Sequence, residues 1–189
     1  IRLDINGGWD LKNALLNLHD FHLRFGPIFE YIEQPCIEQS DLKKLKAEIP
    51  MKIAVDESIR KSLDSDFSNL KECADIAILK WQPVGGIEKA ISLANEIGLP
   101  VVISSALETG IGISHGLALA SALDVNLSCG LATATLLESD IVMEDLSIVN
   151  GEIEVLSRTP NQALIENYRA PEDRKIWWLE RIKRIIDSG

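Results

Sequence analysis

The sequence predicts an α/β fold of parallel strands joined by helices, with a closed TIM-type (β/α) barrel favoured over an open doubly wound sheet. Three observations carry this. Short apolar strand-like segments alternate with helix-like ones through six successive units. The strand segments are apolar on both faces, as parallel strands covered on both sides are. No glycine-rich dinucleotide fingerprint follows the first strand, which argues against an open doubly wound sheet. Gly110-Ile111-Gly112 is only a partial match and stands in the wrong place.

Taken in order, Ile1–Ile5 reads as a strand and Asp10–Phe21 as a helix, with Leu11, Leu15 and Leu18 at helical spacing. Phe29–Ile32 reads as a short strand. Ser40–Glu48 reads as a helix capped by Ser40. Met51–Val55 is a strand. After a polar stretch, Phe67–Cys73 is a short helix leading to a strand at Ile76–Lys80. Gly85-Gly86 opens a helix over Ile87–Ile97, ended by Gly98 with Pro100 beyond. Val101–Ser104 is a strand, Ile113–Leu123 a helix, and Asn126–Ser128 a last short strand.

The tail after Asp140 differs. Leu146–Val149 and Ile153–Leu156 flank Asn150-Gly151, a strong hairpin signal. A basic and aromatic helix over Pro171–Ile186 follows. Its Trp177 and Trp178 read as packing residues, and Arg181–Arg184 as a solvated face complementing the helix dipole.

Composition excludes several function classes. The net charge of −10 repels phosphate backbones, so nucleic acid is not an expected partner. No apolar run approaches the roughly 20 residues needed to cross a bilayer, so no membrane insertion is expected. Cys36, Cys73 and Cys129 are odd in number and widely spaced, giving neither a disulfide framework nor a zinc pattern. A reducing, cytoplasmic setting is the expectation. The sequence opens with Ile directly into a strand, which reads as a piece cut from a longer chain.

The chemistry lies at the strand ends. Asp4, Glu33, Asp56 and Lys80 recur at gaps of 29, 23 and 24 residues, about one β/α unit each. In a β/α barrel the strand C-termini converge on one face, where active sites are built. Three carboxylates meeting there would repel one another strongly without a cation. Oxygen-only ligands with open positions suit Mg²⁺, with Mn²⁺ able to stand in. A lysine beside such a metal suits proton chemistry next to a carboxylate. His19 and His22, three apart on the first helix, read as surface residues. Trp81 reads as barrel wall, and His115, at a helix start, as a residue outside the site.

Those segments resemble a known family. Arg2-Leu3-Asp4-Ile5-Asn6-Gly7, Tyr31-Ile32-Glu33-Gln34-Pro35, Val55-Asp56-Glu57-Ser58 and Leu79-Lys80 together resemble the third- to sixth-strand segments of the enolase superfamily. Within it, Asp4-Ile5-Asn6-Gly7-Gly8-Trp9, Glu33-Gln34-Pro35-Cys36, Pro83-Val84-Gly85-Gly86, the run from Val102 to Thr109, and Ser128-Cys129-Gly130-Leu131 resemble the actinobacterial o-succinylbenzoate synthases. The resemblance implies a lyase of menaquinone biosynthesis. It would dehydrate 2-succinyl-6-hydroxy-2,4-cyclohexadiene-1-carboxylate to o-succinylbenzoate through an enediolate. It implies Asp4, Glu33 and Asp56 as Mg²⁺ ligands and Lys80 as the lysine facing the intermediate. Ser104 and Ser105 would lie near the substrate carboxylates, and Asn6 and Glu57 would orient the ligands or Lys80. An N-acylamino acid racemase or dipeptide epimerase of the same superfamily is the alternative.

The family's second-strand base lysine would lie outside this sequence, with the first barrel strands and an N-terminal capping domain. The expected layout is a barrel over residues 1–139, from about its third strand onward. Residues 140–189 would be a C-terminal segment packing on the capping domain. The expected partner is a small carboxylate substrate, and a homo-oligomer is compatible with all of this.

Overall fold

Strands form where the apolar runs were expected. In the computed structural model, which describes residues 1–61, 67, 69–144 and 146–188, β1 (Arg2–Asp4), β2 (Tyr31–Glu33), β3 (Ile53–Val55), β4 (Ile76–Leu79) and β5 (Val101–Ile103) make one parallel sheet in sequence order. The helices are α1 (Leu11–Phe25), α2 (Gln39–Glu48), α3 (Glu57–Arg60), α4 (Ile87–Ile97), α5 (Gly110–Ala122), α6 (Gln162–Asn167) and α7 (Glu172–Ser188). The strand order never reverses. The sheet therefore winds one way, as a barrel wall does, without the switch point of a doubly wound sheet.

The two faces of the sheet bury different things, as alternation along a strand requires. Ile32, Ile53, Val55, Ala77, Leu79 and Ile103 face the helices and join the main core. Tyr31, Ala54, Ile76, Ile78 and Val102 form a separate cluster on the other face, with Leu127 packed against it. The sheet curls strongly around that second face. Arg2, on β1, donates from Nη1 to the carbonyl of Ser128, which lies beyond β5, at 2.6 Å.

Several element boundaries differ from the sequence expectation. α1 runs to Phe25 and stops at Gly26, whose φ of 60° breaks the helix. A 3₁₀ turn over Gly26–Ile28 follows. Phe29 then stacks on Phe21 rather than pairing, so β2 begins at Tyr31. The cap of α2 is Glu38, not Ser40, which already lies in the first turn. The single turn α3 was not expected. The helix expected over Phe67–Cys73 is a 3₁₀ turn at Leu70–Glu72, because Cys73 and Ala74 return their N–H groups to Leu70 and the chain enters β4 at once. Ser68, within that expected helix, lies outside the described residues.

α5 starts at Gly110 rather than Ile113. Its first N–H is taken by Asp140 Oδ2 at 2.7 Å, a cap delivered from the tail that no local pattern announces. Asn126–Ser128 is not a strand. It lies against the inner cluster through Leu127, but the pairing occurs two residues later, in a single parallel bridge between Ser104 and Gly130.

In the tail, Asn150 and Gly151 take φ of 54° and 82°, the left-handed pair that a type I′ turn needs. The turn forms, but it closes only the bridge Val149–Glu152, so the flanking strands do not develop. Arg158 is buried and donates to Ser114 Oγ on α5 at 3.3 Å. The Asn161 N–H reaches the Ile141 carbonyl.

α7 matches expectation in extent, but no residue of it is buried. Trp177 and Trp178 are exposed and pack edge-on against each other, 4.8 Å between centroids, with Arg174 over the Trp177 ring. They are not core residues of the described chain. The last turn of α7 holds no basic residue, so Arg181–Arg184 lies too far from the helix end to complement its dipole. No helix among the described residues is long and apolar enough to cross a membrane.

Candidate active site

A charged or hydroxyl side chain stands at or just past the end of every strand. Asp4 closes β1 and Glu33 closes β2, and the two are register partners. Asp56, Lys80 and Ser104 stand one residue past β3, β4 and β5. Glu33 pairs with Ala54, and Asp56 lies two residues further along. An even step preserves the facing, so Asp4, Glu33, Asp56, Lys80 and Ser104 all share the inner face of Tyr31, Ala54, Ile78 and Val102.

The carboxylates differ in surroundings. Asp4 is exposed, and its Oδ1 accepts the Asn6 backbone N–H at 2.9 Å. Asn6 thus orients Asp4 through its backbone, turned by a φ of 54°. Glu33 is half-buried. Burial first, then the like charges of Asp4 and Asp56, push its carboxyl up to about 7 from an ordinary 4.5, against a smaller opposing pull from Lys80. Asp56 is only 2% exposed. Its Oδ2 accepts from Lys80 Nζ at 2.6 Å and from Arg60 Nε at 3.2 Å. Its Oδ1 is buried with no hydrogen-bond partner among the described residues. Glu57, also buried, accepts from Arg60 Nη2 at 2.6 Å, and its Oε2 has no such partner.

Gln34 holds the β2 and β3 ends together. Its amide donates to Cys36 O and Ser58 Oγ, both at 2.8 Å, and accepts from the N–H groups of Asp56 and Ser58, both at 3.1 Å. All four amide valences are satisfied, in a side chain with no solvent exposure. Its backbone φ is 39°. These constraints fix where Asp56 can point.

No three His, Cys, Asp or Glu side chains among the described residues are gathered tightly enough to hold an ion. Asp4 accepts from the Asn6 N–H, and Asp56 from Lys80 and Arg60. The donor set nonetheless fits a hard divalent cation. It is all oxygen, it includes the unpartnered buried Asp56 Oδ1, and it holds Glu33 against two like charges that a cation would offset.

The two serines diverge. Ser104 follows β5 on the inner face, beside Gly130. Ser105 is buried, and its hydroxyl donates to Gly130 O at 2.9 Å and meets Thr133 Oγ1 at 2.8 Å. Trp81 packs on the core as expected, with its indole N–H near Gly112 O and its ring 5.4 Å from His115. His115 is exposed on α5, and His19 and His22 sit late on α1, which runs back from the strand C-termini. A cavity of about 650 Å³ is lined by Ala134, Asp140, Val142, Leu146 and Ile148, away from the strand-end residues.

Sequence reasoning did not single out Arg60 or Gln34. Gln34 was visible only as part of a motif. Arg60 follows Asp56 by four residues and Glu57 by three, a helical spacing that signals a contact only once α3 is known to exist.

Residues 1–160 match the family described as enolase C-terminal domain-like. The chain is similar to the o-succinylbenzoate synthase of Mycobacterium tuberculosis, 40% identical over 97% of this chain and 56% of that protein. It is 43% identical to the o-succinylbenzoate synthase of Thermobifida fusca over 82% of this chain and 48% of that one. It superposes on the substrate-liganded L-Ala-D/L-Glu epimerase of Bacillus subtilis with a TM-score of 0.71 and 25% identity, over 85% of this chain and 45% of the epimerase. The chain therefore spans about half the length of the curated relatives it matches.

Proposed function

The chain belongs to the enolase C-terminal domain-like family, and from that premise we propose that it forms the catalytic barrel of an o-succinylbenzoate synthase. The reaction is the dehydration of 2-succinyl-6-hydroxy-2,4-cyclohexadiene-1-carboxylate to o-succinylbenzoate, a hydro-lyase step of menaquinone biosynthesis in the cytoplasm. The supporting observation is that Asp4, Glu33 and Asp56 share one face at successive strand ends, with Lys80 seated on the third of them.

In this reading Asp4, Glu33 and Asp56 hold Mg²⁺, or Mn²⁺ in its place. When bound, the cation supplies positive charge against the negative charge that gathers on a carboxylate as its neighbouring proton leaves. The Lys80 ammonium, anchored 2.6 Å from Asp56 Oδ2, faces the same inner space and adds a second positive charge there. Asn6, Gln34 and Glu57 orient the carboxylates, as donors and acceptors around metal ligands do. Ser104 stands where a substrate carboxylate can reach it. Ser105 holds the loop after β5 in place, since its N–H and its hydroxyl both donate to the Gly130 carbonyl and the hydroxyl also meets Thr133 Oγ1. In this reading the family's second-strand lysine serves as the base. Residues 1–139 form the barrel from about its third strand onward, and the C-terminal segment 140–189, which first packs on α5, carries α6 and α7 toward a capping domain.

The test is an ultraviolet assay of the full-length protein with the cyclohexadiene substrate, with and without Mg²⁺, beside Lys80→Ala. Mg²⁺-dependent appearance of the aromatic product, reduced at least a hundredfold in the variant, is expected; group-specific catalysis of this kind contributes about 10²–10⁴-fold. Absence of turnover in the wild type would remove the synthase reading.

The similarity to the epimerase supports a second reading, racemisation or epimerisation of an N-acylamino acid or dipeptide. Exchange of the substrate α-proton with solvent deuterium, without aromatic product, would favour it.

A further inference from the structure

Arg60 lies one helical turn beyond Asp56 and touches both buried carboxylates of the loop after β3. α3 exists because Ile59 and Arg60 return their N–H groups to the Asp56 carbonyl at 2.9 and 3.0 Å. That single turn brings the Arg60 guanidinium back over Asp56 and Glu57. Its Nε meets Asp56 Oδ2 at 3.2 Å, and its Nη2 meets Glu57 Oε1 at 2.6 Å. Lys80 occupies the same Asp56 oxygen at 2.6 Å. The result is asymmetric. Asp56 Oδ2 faces two cationic groups, while Oδ1 is buried and unpartnered among the described residues.

We propose that Arg60 is a positioning residue that sets the metal preference of this site by making Asp56 a one-oxygen ligand. Mg²⁺ demands near-octahedral single-oxygen contacts at about 2.0–2.1 Å, whereas Ca²⁺ accepts six to eight oxygens at about 2.3–2.6 Å and readily takes both oxygens of one carboxylate. An aspartate whose second oxygen is held by a guanidinium and an ammonium offers the first geometry and resists the second. The same guanidinium draws Glu57 aside. Glu57 has a buried oxygen without a hydrogen-bond partner among the described residues, and without Arg60 that carboxylate becomes a further candidate ligand. Two extra oxygens suit Ca²⁺ and crowd Mg²⁺. The planar fork of arginine reaches both carboxylates at once, which a lysine ammonium cannot do in the same geometry.

The inference rests on the metal reading above, and its test separates the two. In the full-length protein, the dissociation constants of Mg²⁺ and Ca²⁺ are measured by calorimetry for wild type, Arg60→Lys and the double variant Glu57→Gln/Arg60→Gln. The double variant avoids leaving Glu57 buried and unpaired. Metal-free melting temperatures are recorded beside them. In Arg60→Lys, Mg²⁺ affinity is expected to fall about tenfold, the low end for residues that orient metal ligands. Ca²⁺ affinity should change much less, so that the Mg²⁺/Ca²⁺ ratio narrows. The double variant should narrow it too. Variants that melt lower with an unchanged ratio would reduce Arg60 to a structural ion pair and overturn the proposal. A wild-type ratio in the double variant would also overturn it, by assigning the effect to Glu57 alone. A wild-type protein that binds no Mg²⁺ would overturn the metal reading itself.

Discussion

Burial and two like charges hold Glu33 protonated above the usual carboxylate range, and this has a consequence for pH. Its carboxyl is held up to about 7 by burial and by Asp4 and Asp56, against 4.5 in the unfolded chain. Between those values the unfolded chain has released the proton and the folded chain still holds it. Stability of the metal-free protein therefore falls as pH rises through that window, and the full cost is present above it. Glu33→Gln removes this dependence. Urea midpoints of metal-free full-length protein from pH 4 to 8 should show the wild-type advantage shrinking relative to the variant as pH rises. Saturating Mg²⁺ should cancel the decline, because a cation favours the charged carboxylate. A flat difference across the range would show that Glu33 is not stressed as described.

At the scale of elements, the tail and the barrel wall are coupled through α5. The glycines at the start of this helix are close-packed. A Cβ on Gly110 would lie 2.5 Å from a Val142 methyl, so the residues after Asp140 seat directly on the helix start. Asp140 accepts the N–H of Gly110, and Arg158 reaches Ser114 one turn later. Asp140→Ala should cost about 1 kcal/mol, the usual worth of a lost helix cap. The check is a lower urea midpoint in the full-length protein with Mg²⁺ affinity unchanged, since the hydrogen bonds described for Asp4 and Asp56 do not involve Asp140. The five-strand order was legible because apolar runs and helix-period segments alternate. The start of α5 was not, because its cap comes from a residue 30 positions away.

Among the described residues, a strand edge and a helix face stand outside the core. Along β1 no described strand pairs on the outer side. On α7, Trp178, Leu179, Ile182, Ile185 and Ile186 recur at helical spacing and are all exposed. The chain spans about half the length of its relatives, and we propose that in a longer protein these surfaces would be where a capping domain and further barrel strands pack. Ile182→Glu in the full-length protein should then lower the melting temperature by several degrees, since burying a side chain of this size is worth about 1.5–3 kcal/mol. An unchanged melting temperature would mean that α7 is solvated in the complete molecule.

By itself the sequence determined the parallel α/β character, the helices α1, α2, α4 and α7, and the recurrence of Asp4, Glu33, Asp56 and Lys80 at strand ends. Those features are local or periodic, written in apolar spacing and in one charged residue per unit. Only the tertiary structure decided how the recurring residues are used. Register places all four on the inner face, and Gln34 locks Asp56 from the neighbouring strand. An unexpected single turn brings Arg60 onto Asp56 and Glu57. Ser105 spends its hydroxyl on Gly130 and Thr133, and the tail caps α5. Each of these is a contact between segments far apart in sequence or dependent on a turn too short to show a period. Such contacts are selected by packing and by the need to satisfy buried polar groups, and neither can be read from a single stretch of chain.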